Sequence, residues 1–197
     1  MEVILARYGE IALKGRNRKD FENQLKENIK NSVKGRVRKL RGRMLVYPEY
    51  MEEAITSLRR VFGLVSISHA YVVEADIEEI KERCLYIAQQ ETSEDGSGFS
   101  SFRISVQRSQ KKLKPSPEIE KEVGQFIVDN TGKRVRLKNP DLDIGVEIAD
   151  RAYVFSERIS CAGGLPAGVE GRAVLLIEGR KSFLAGLLAM RRGCEIL

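Results

Sequence analysis

The stretch EVILARYGEIALKGRNRKDFENQLKENIKNSV, from Glu2 to Val33, decides how the rest of the chain is read. An apolar run ending at Tyr8 predicts a strand, and Phe21, Leu25, Ile29 and Val33 recur at the four-residue spacing of one helix face. Gly35 reads as the helix stop. Val37 to Leu40 and Met44 to Tyr47 flank Arg41-Gly42-Arg43, which predicts a hairpin. Pro48 and the acidic pair Glu52-Glu53 open a second helix carrying Ala54, Ile55, Leu58, Val61 and Phe62. Gly63 ends it, and Leu64 to Val73 is a last strand. The order β-α-β-β-α-β is the ferredoxin-like plan, a helix pair on one antiparallel sheet.

A second unit starts at Asp76, an N-cap for a helix through Ile80, Cys84, Leu85 and Ile87 to Gln90. Thr92 to Gly98 (TSEDGSG) reads as a loop. Phe102 to Val106 alternates as a strand, and Ser116-Pro117-Glu118 opens a helix running to about Val128. Val135 to Leu137, Asp143 to Ile148 and Tyr153 to Phe155 are further strands. Gly163 to Gly171 (GGLPAGVEG) reads as a tight loop or linker, and Ala173 to Ile177 as a strand leading through a charged turn into a helix.

Charge is distributed unevenly over the 197 residues, whose formal net charge is +6. Residues 1–50 hold 13 Lys/Arg against 6 Asp/Glu, and residues 51–100 hold 4 against 10. A positive field concentrated at one end suits an anionic partner such as nucleic acid. Three separated cysteines (Cys84, Cys161, Cys194) and a single histidine, His69, offer neither a disulfide framework nor metal-ligand spacing. No catalytic residue and no metal ligand is assigned. The longest apolar stretch, Phe183 to Met190, is too short to span a bilayer, and Met1-Glu2-Val3 runs directly into a strand. The expectation is a cytoplasmic protein without a membrane partner.

Lys14-Gly15-Arg16-Asn17-Arg18 places three cations, an amide and a glycine ahead of a helix, a combination able to meet phosphate through side chains and N–H groups. Arg7-Tyr8-Gly9-Glu10-Ile11, Leu13-Lys14-Gly15, Asn17-Arg18, Phe21-Glu22 and Leu25 together resemble the N-terminal signature of the tRNA 4-thiouridine synthetase (ThiI) family. Phe102 to Gly124 resembles the strand, basic loop and helix of a THUMP domain, and Arg136 to Phe155 its closing strands. The resemblance implies an α+β protein: a ferredoxin-like domain over 1–74, an α/β THUMP RNA-binding domain over 75–170, and at 171–197 the start of a Rossmann-like pyrophosphate-loop domain. It implies tRNA as partner, held at its acceptor end by Lys14, Arg16, Asn17 and Arg18 in the first domain. Arg103, Arg108, Lys111, Lys112 and Lys114 would serve in the second; no acidic residue follows them in sequence until Glu118. Contacts of this kind to double-helical RNA are made to sugar and phosphate and need few aromatics.

The turn Glu178-Gly179-Arg180-Lys181-Ser182 invites a phosphate reading. It is not a Walker loop, because Arg180 separates Gly179 from Lys181. The ThiI-type family carries S-G-G-x-D-S at this place, where ATP activates a uridine for attack by a persulfide sulfur. Here Gly179 and Ser182 match, Glu178 replaces a serine, one glycine is missing and Lys181 replaces the acid. The nucleotide-site candidates are therefore Gly179, Arg180, Lys181 and Ser182, with ATP and Mg²⁺ implied by resemblance only. An ammonium has no lone pair with which to hold Mg²⁺. A parallel layer needs more strands than residues 171–197 provide, so the catalytic half, with the sulfur-transferring cysteines, is expected elsewhere. Enzyme or not stays open at this point. The competing readings are the tRNA-binding region of a 4-thiouridine-forming sulfurtransferase, a non-catalytic tRNA adaptor with a decayed ATP site, and a role in thiamine thiazole synthesis. A sulfur-donor protein and self-association are further expectations.

Overall fold

A computed structural model of the chain describes residues 1–13, 15, 17–91, 98–109 and 113–197. These residues divide into two compact units: Val3–Ser68 with Arg158–Leu197, and Met1–Glu2 with His69–Glu157. Each is built around its own hydrophobic cluster. Residues 158–170 thus pack with the N-terminal segment.

The first unit contains β1 (Glu2–Tyr8), α1 (Arg18–Ser32), β2 (Gly35–Leu40), β3 (Arg43–Pro48), α2 (Met51–Leu58) and β4 (Leu64–Val73), whose residues from His69 onward belong to the second unit. The strand order β2-β3-β1-β4 and the antiparallel β1–β3 and β2–β3 pairs realise the ferredoxin-like plan. Period two puts Ile4, Ala6 and Tyr8 of β1 on the face that meets Phe21, Leu25 and Ile29 of α1. Leu25 and Ile29 are fully buried, each worth about 1.5–3 kcal/mol of transfer free energy. Gly35 proves to be the first residue of β2 rather than the helix stop; α1 ends where Val33 turns extended. Gly35 has φ +141°, and a Cβ there would lie 2.2 Å from the Tyr47 carbonyl oxygen, so only glycine lets β2 close on β3. The helix expected through Phe62 stops at Leu58, because Val61 and Leu64 turn back on 3₁₀-type hydrogen bonds toward β4.

In the second unit α3 (Ile77–Gln90) begins at Asp76, whose carboxylate caps the N–H groups of Glu78 and Glu79 at 2.9 and 3.3 Å. Then come β5 (Ser101–Arg108), α4 (Ser116–Thr131), β6 (Arg134–Val135), β7 (Leu142–Ile148) and β8 (Ala152–Phe155). The order β4-β8-β7-β5-β6 combines parallel β5–β7 and β5–β6 pairs with antiparallel β7–β8 and β4–β8 pairs. Ile80, Cys84 and Ile87 of α3 and Ile119, Val123 and Ile127 of α4 close over Phe102, Ile104, Ile144 and Val146. The strand expected over Val135 to Leu137 shrinks to Arg134–Val135, since it is an edge strand paired only with Ser101 and Phe102, and Leu137 is exposed. The loop read at Thr92 to Gly98 lies outside the described residues apart from Gly98.

The remaining segment returns to the first unit. A short β9 (Ile159–Ser160), not anticipated from sequence, pairs with Ser66 and Ile67 of β4. β10 (Arg172–Ala173), α5 (Arg180–Arg191) and β11 (Glu195–Ile196) form one parallel β-α-β unit. The strand expected from Ala173 to Ile177 is only two residues long. Beyond the Leu175 N–H to Leu197 carbonyl bond there is no neighbour to extend it among the described residues, and Val174, Leu176 and Ile177 stand exposed. The GGLP turn packs on the end of α5, where Gly164 (φ +76°) lets the chain approach the Arg191 carbonyl and the Leu165 N–H donates to it at 2.9 Å.

Candidate nucleic-acid interface

At the mouth of α1 the backbone makes a tight entry. The Arg18 N–H donates to the Gly15 carbonyl at 3.3 Å, and the Asn17 carbonyl accepts from Asp20 and Phe21. Asn17 occupies the N-cap position without a side-chain cap and stays exposed. Lys14 and Arg16 lie outside the described residues. Arg18 is held from two sides. Its Nε donates to Glu22 Oε1 at 2.7 Å, and the buried Tyr8 hydroxyl donates to the same oxygen at 2.6 Å. Lys39 on β2 stands 3.6 Å from Glu22 Oε2 and donates to Asn23 Oδ1 at 2.8 Å.

These contacts tie β1, α1 and β2 through one carboxylate. Partial burial opposes its charge, but the hydrogen bonds from Tyr8 and Arg18 outweigh that, and the Glu22 pKa falls below its ordinary value. Burial, reinforced by Glu22, pushes the Tyr8 hydroxyl up, so it remains a donor at neutral pH. Sequence reasoning found Arg18 but not the Tyr8–Glu22 pair that orients it. The partners lie 14 residues apart and meet only because β1 and α1 pack.

The cations of the second unit are more committed than their local sequence suggests. Arg103 forms an ion pair with Asp143, directly across the parallel β5–β7 register, and donates to the Leu137 carbonyl at 3.1 Å. Ser105 donates to the other Asp143 oxygen at 2.8 Å. Arg108 donates to the Leu113 carbonyl at 2.9 Å, ordering the chain that leads to α4. Lys114 pairs with Glu122 at 2.8 Å, and Lys81 reaches the same carboxylate at 2.9 Å. Lys111 and Lys112 lie outside the described residues. The β5 side of this surface is pinned by Asp141, whose Oδ2 accepts from the N–H and hydroxyl groups of both Ser100 and Ser101 at 2.7–3.0 Å. Those donors, the Ser100 hydroxyl foremost, hold the Asp141 carboxyl far below the usual carboxylate range.

At the third candidate site, Gly179 is the N-cap of α5, and Arg180 and Lys181 are exposed. Ser182 occupies the middle of the turn. Its hydroxyl accepts from the N–H groups of Glu178 (2.9 Å) and Gly179 (3.1 Å) and donates to the Gly179 carbonyl at 2.9 Å. Two N–H donors that a phosphate would require are therefore already satisfied from within. The exposed Glu178 adds a negative charge beside them, and no cluster among the described residues could hold a metal ion. The residues of this turn do not fit a magnesium-bound nucleotide. Cys161, half-buried, has its thiol pushed up to about 11 by burial, despite Arg59 nearby, so it is a packed thiol rather than a nucleophile. His69 meets Glu2 at 3.0 Å and stacks near Tyr71, a structural placement.

The fold and these clusters have counterparts. The ThiI ferredoxin-like domain matches residues 3–68, and the THUMP domain matches residues 74–157. The chain belongs to the ThiI family. A crystal structure of a Pyrococcus horikoshii protein is 38% identical to this ThiI-family chain, with a TM-score of 0.92 over all of it and 67% of that protein. A 4-thiouridine synthetase, solved as an RNA complex with bound ATP, is 34% identical with a TM-score of 0.82, covering all of this chain and 51% of that one. A probable tRNA sulfurtransferase of Acetivibrio thermocellus is 37% identical over 206 residues, which take in 99% of this chain and 52% of the relative. The chain spans about half the length of the curated relatives it matches. No helix among the described residues is long and apolar enough to cross a membrane.

Proposed function

We propose that this chain binds tRNA and holds its acceptor end for the sulfur transfer that forms 4-thiouridine. The observation that carries the reading is the Tyr8–Glu22–Arg18 cluster at the entry to α1. It spends two part-buried hydrogen bonds on orienting one partly exposed guanidinium at the entry to α1, as a phosphate-positioning site requires. Residues named for RNA contact are Lys14, Arg16, Asn17 and Arg18, with Arg103, Arg108, Lys111, Lys112 and Lys114 in the second unit. The likeness to a synthetase solved with RNA supports the assignment. ATP, Mg²⁺ and a sulfur-donor protein enter as requirements of the whole reaction, and the Glu178–Ser182 turn does not supply the nucleotide site.

A second reading, a tRNA-binding adaptor without catalysis of its own, is favoured by that self-satisfied turn. Two measurements separate them. Fluorescence anisotropy with transcribed tRNA reports binding, and joint replacement of Lys14, Arg16 and Arg18 by Ala weakens it and flattens its salt slope. Release of AMP and pyrophosphate by the chain or any longer native form of it, with tRNA and a sulfur donor, reports catalysis. Binding without release supports the adaptor; unchanged affinity and slope in the triple variant remove the α1 entry from the interface.

A further inference from the structure

The hairpin from Gly35 to Pro48 carries five basic residues (Arg36, Arg38, Lys39, Arg41 and Arg43) and no acidic one. Its register sorts them by face. Val37 pairs with Val46 and Lys39 with Met44, and β1 continues those rows with Ile4 and Ala6. Val37, Val46, Met44, Ile4 and Ala6 all belong to the core beneath α1 and α2. Arg36, Arg38, Leu40, Arg43, Leu45 and Tyr47 therefore occupy the opposite face of the sheet, where Leu45 is fully buried and Arg36 and Arg38 are exposed.

Two further features make this face more than a solvated edge. The Arg36 guanidinium lies over the Tyr47 ring, 4.5 Å from its centroid, so an exposed cation is already held in place before any ligand arrives. Arg43 stands directly across from Arg7 in the β1–β3 register, and Arg7 is buried with its Nη1 donating to Ser68 Oγ at 3.0 Å. A second-position neighbour on the same strand face is roughly 6.5–7 Å away, so Arg36 and Arg38 set two exposed guanidinium groups within reach of neighbouring phosphates of one backbone.

We propose that this face of the β2–β3 hairpin is a second contact for the RNA phosphate backbone, separate from the α1 entry loop. The inference rests on the tRNA-binding reading and deepens it by naming a further surface. Arg36 and Arg38 carry the contact, and Tyr47 sets the position of Arg36.

The test is the salt dependence of transcribed-tRNA affinity, measured by anisotropy on the full chain. Arg36→Gln with Arg38→Gln is expected to flatten the slope of log K against log[salt] by roughly 1.4–1.8, which, for lines that meet near about 1 M salt, is roughly a 25–60-fold loss of affinity near 0.1 M salt. Lysine at both positions restores the slope. A charge-matched control, Lys30→Gln with Lys121→Gln, changes neither quantity to that extent. If the parent chain fails to bind tRNA at low salt, the functional reading falls and this proposal with it. If the parent binds with a steep slope and the glutamine pair leaves it intact, or the control matches the pair, the hairpin proposal alone is overturned. A slope that lysine does not restore also overturns it.

Discussion

Replacing Glu22 by alanine exposes how the α1 entry is held. The carboxylate accepts hydrogen bonds from the buried Tyr8 hydroxyl and from Arg18 Nε, and lies near Lys39. Losing it deprives Tyr8 of its short partner, leaving the 3.4 Å contact with Arg18 Nη2, and an under-satisfied buried hydroxyl costs about 1–3 kcal/mol. The Arg18–Glu22 pair is an i,i+4 pair on a partly exposed surface and adds only about 0.3–0.5 kcal/mol. The expected loss is about 1.3–3.5 kcal/mol, which for a chain of this size lowers the melting temperature by about 3–14 °C. Because the Glu22 pKa is lowered by folding, its contribution is fully present above the unfolded value near 4.3 and fades as pH falls below it. Thermal melts from pH 7 to pH 3.5 thus show parent and variant converging at the acid end. Tyr8→Phe in the same background separates the terms, because the phenylalanine has no hydroxyl to leave unpaired. The double variant is expected to lose clearly less than the sum of the two single ones. A loss below about 0.5 kcal/mol, or strict additivity with Tyr8→Phe, refutes the reasoning that the carboxylate is the hub.

Asp141→Asn is expected to lower the melting temperature at pH 7, because an amide cannot accept the four Ser100 and Ser101 donors as a carboxylate does. Folding depresses the carboxyl pKa far below its ordinary value, so the parent's advantage is intact above about pH 4, narrows progressively below it and is lost only as pH falls through the much lower folded value; a gap that does not narrow at all between about pH 5 and pH 2 contradicts this. Calorimetric titration of the chain with ATP and Mg²⁺ is expected to give no saturable heat in the micromolar range, since Ser182 already satisfies the Glu178 and Gly179 N–H groups. Saturable binding that Ser182→Ala alters would show the turn to be a working phosphate site.

Much of this protein is written locally. The four-residue spacing of Phe21, Leu25 and Ile29, the Asp76 cap and the alternation through Phe102 and Ile104 depend on neighbours within one turn or one pleat, so element type and order were legible in the sequence. So was the signature around Arg18. Ends were less legible: β6 and β10 stopped short because a strand's length depends on what lies beside it. The fate of each cation was not legible at all. Arg103 looked unopposed along the chain, yet the parallel register sets Asp143 against it from 40 residues away. Lys39 and Arg38 are adjacent, yet the pleat sends one to Glu22 and the other to the opposite face of the sheet. Ser182 matched a phosphate-loop position, yet its hydroxyl closes on its own backbone. Sequence determines which groups exist and the period on which they repeat; the partner each charge meets is decided by packing, because electrostatic and hydrogen-bond energies depend on ångström separations that only the folded chain defines.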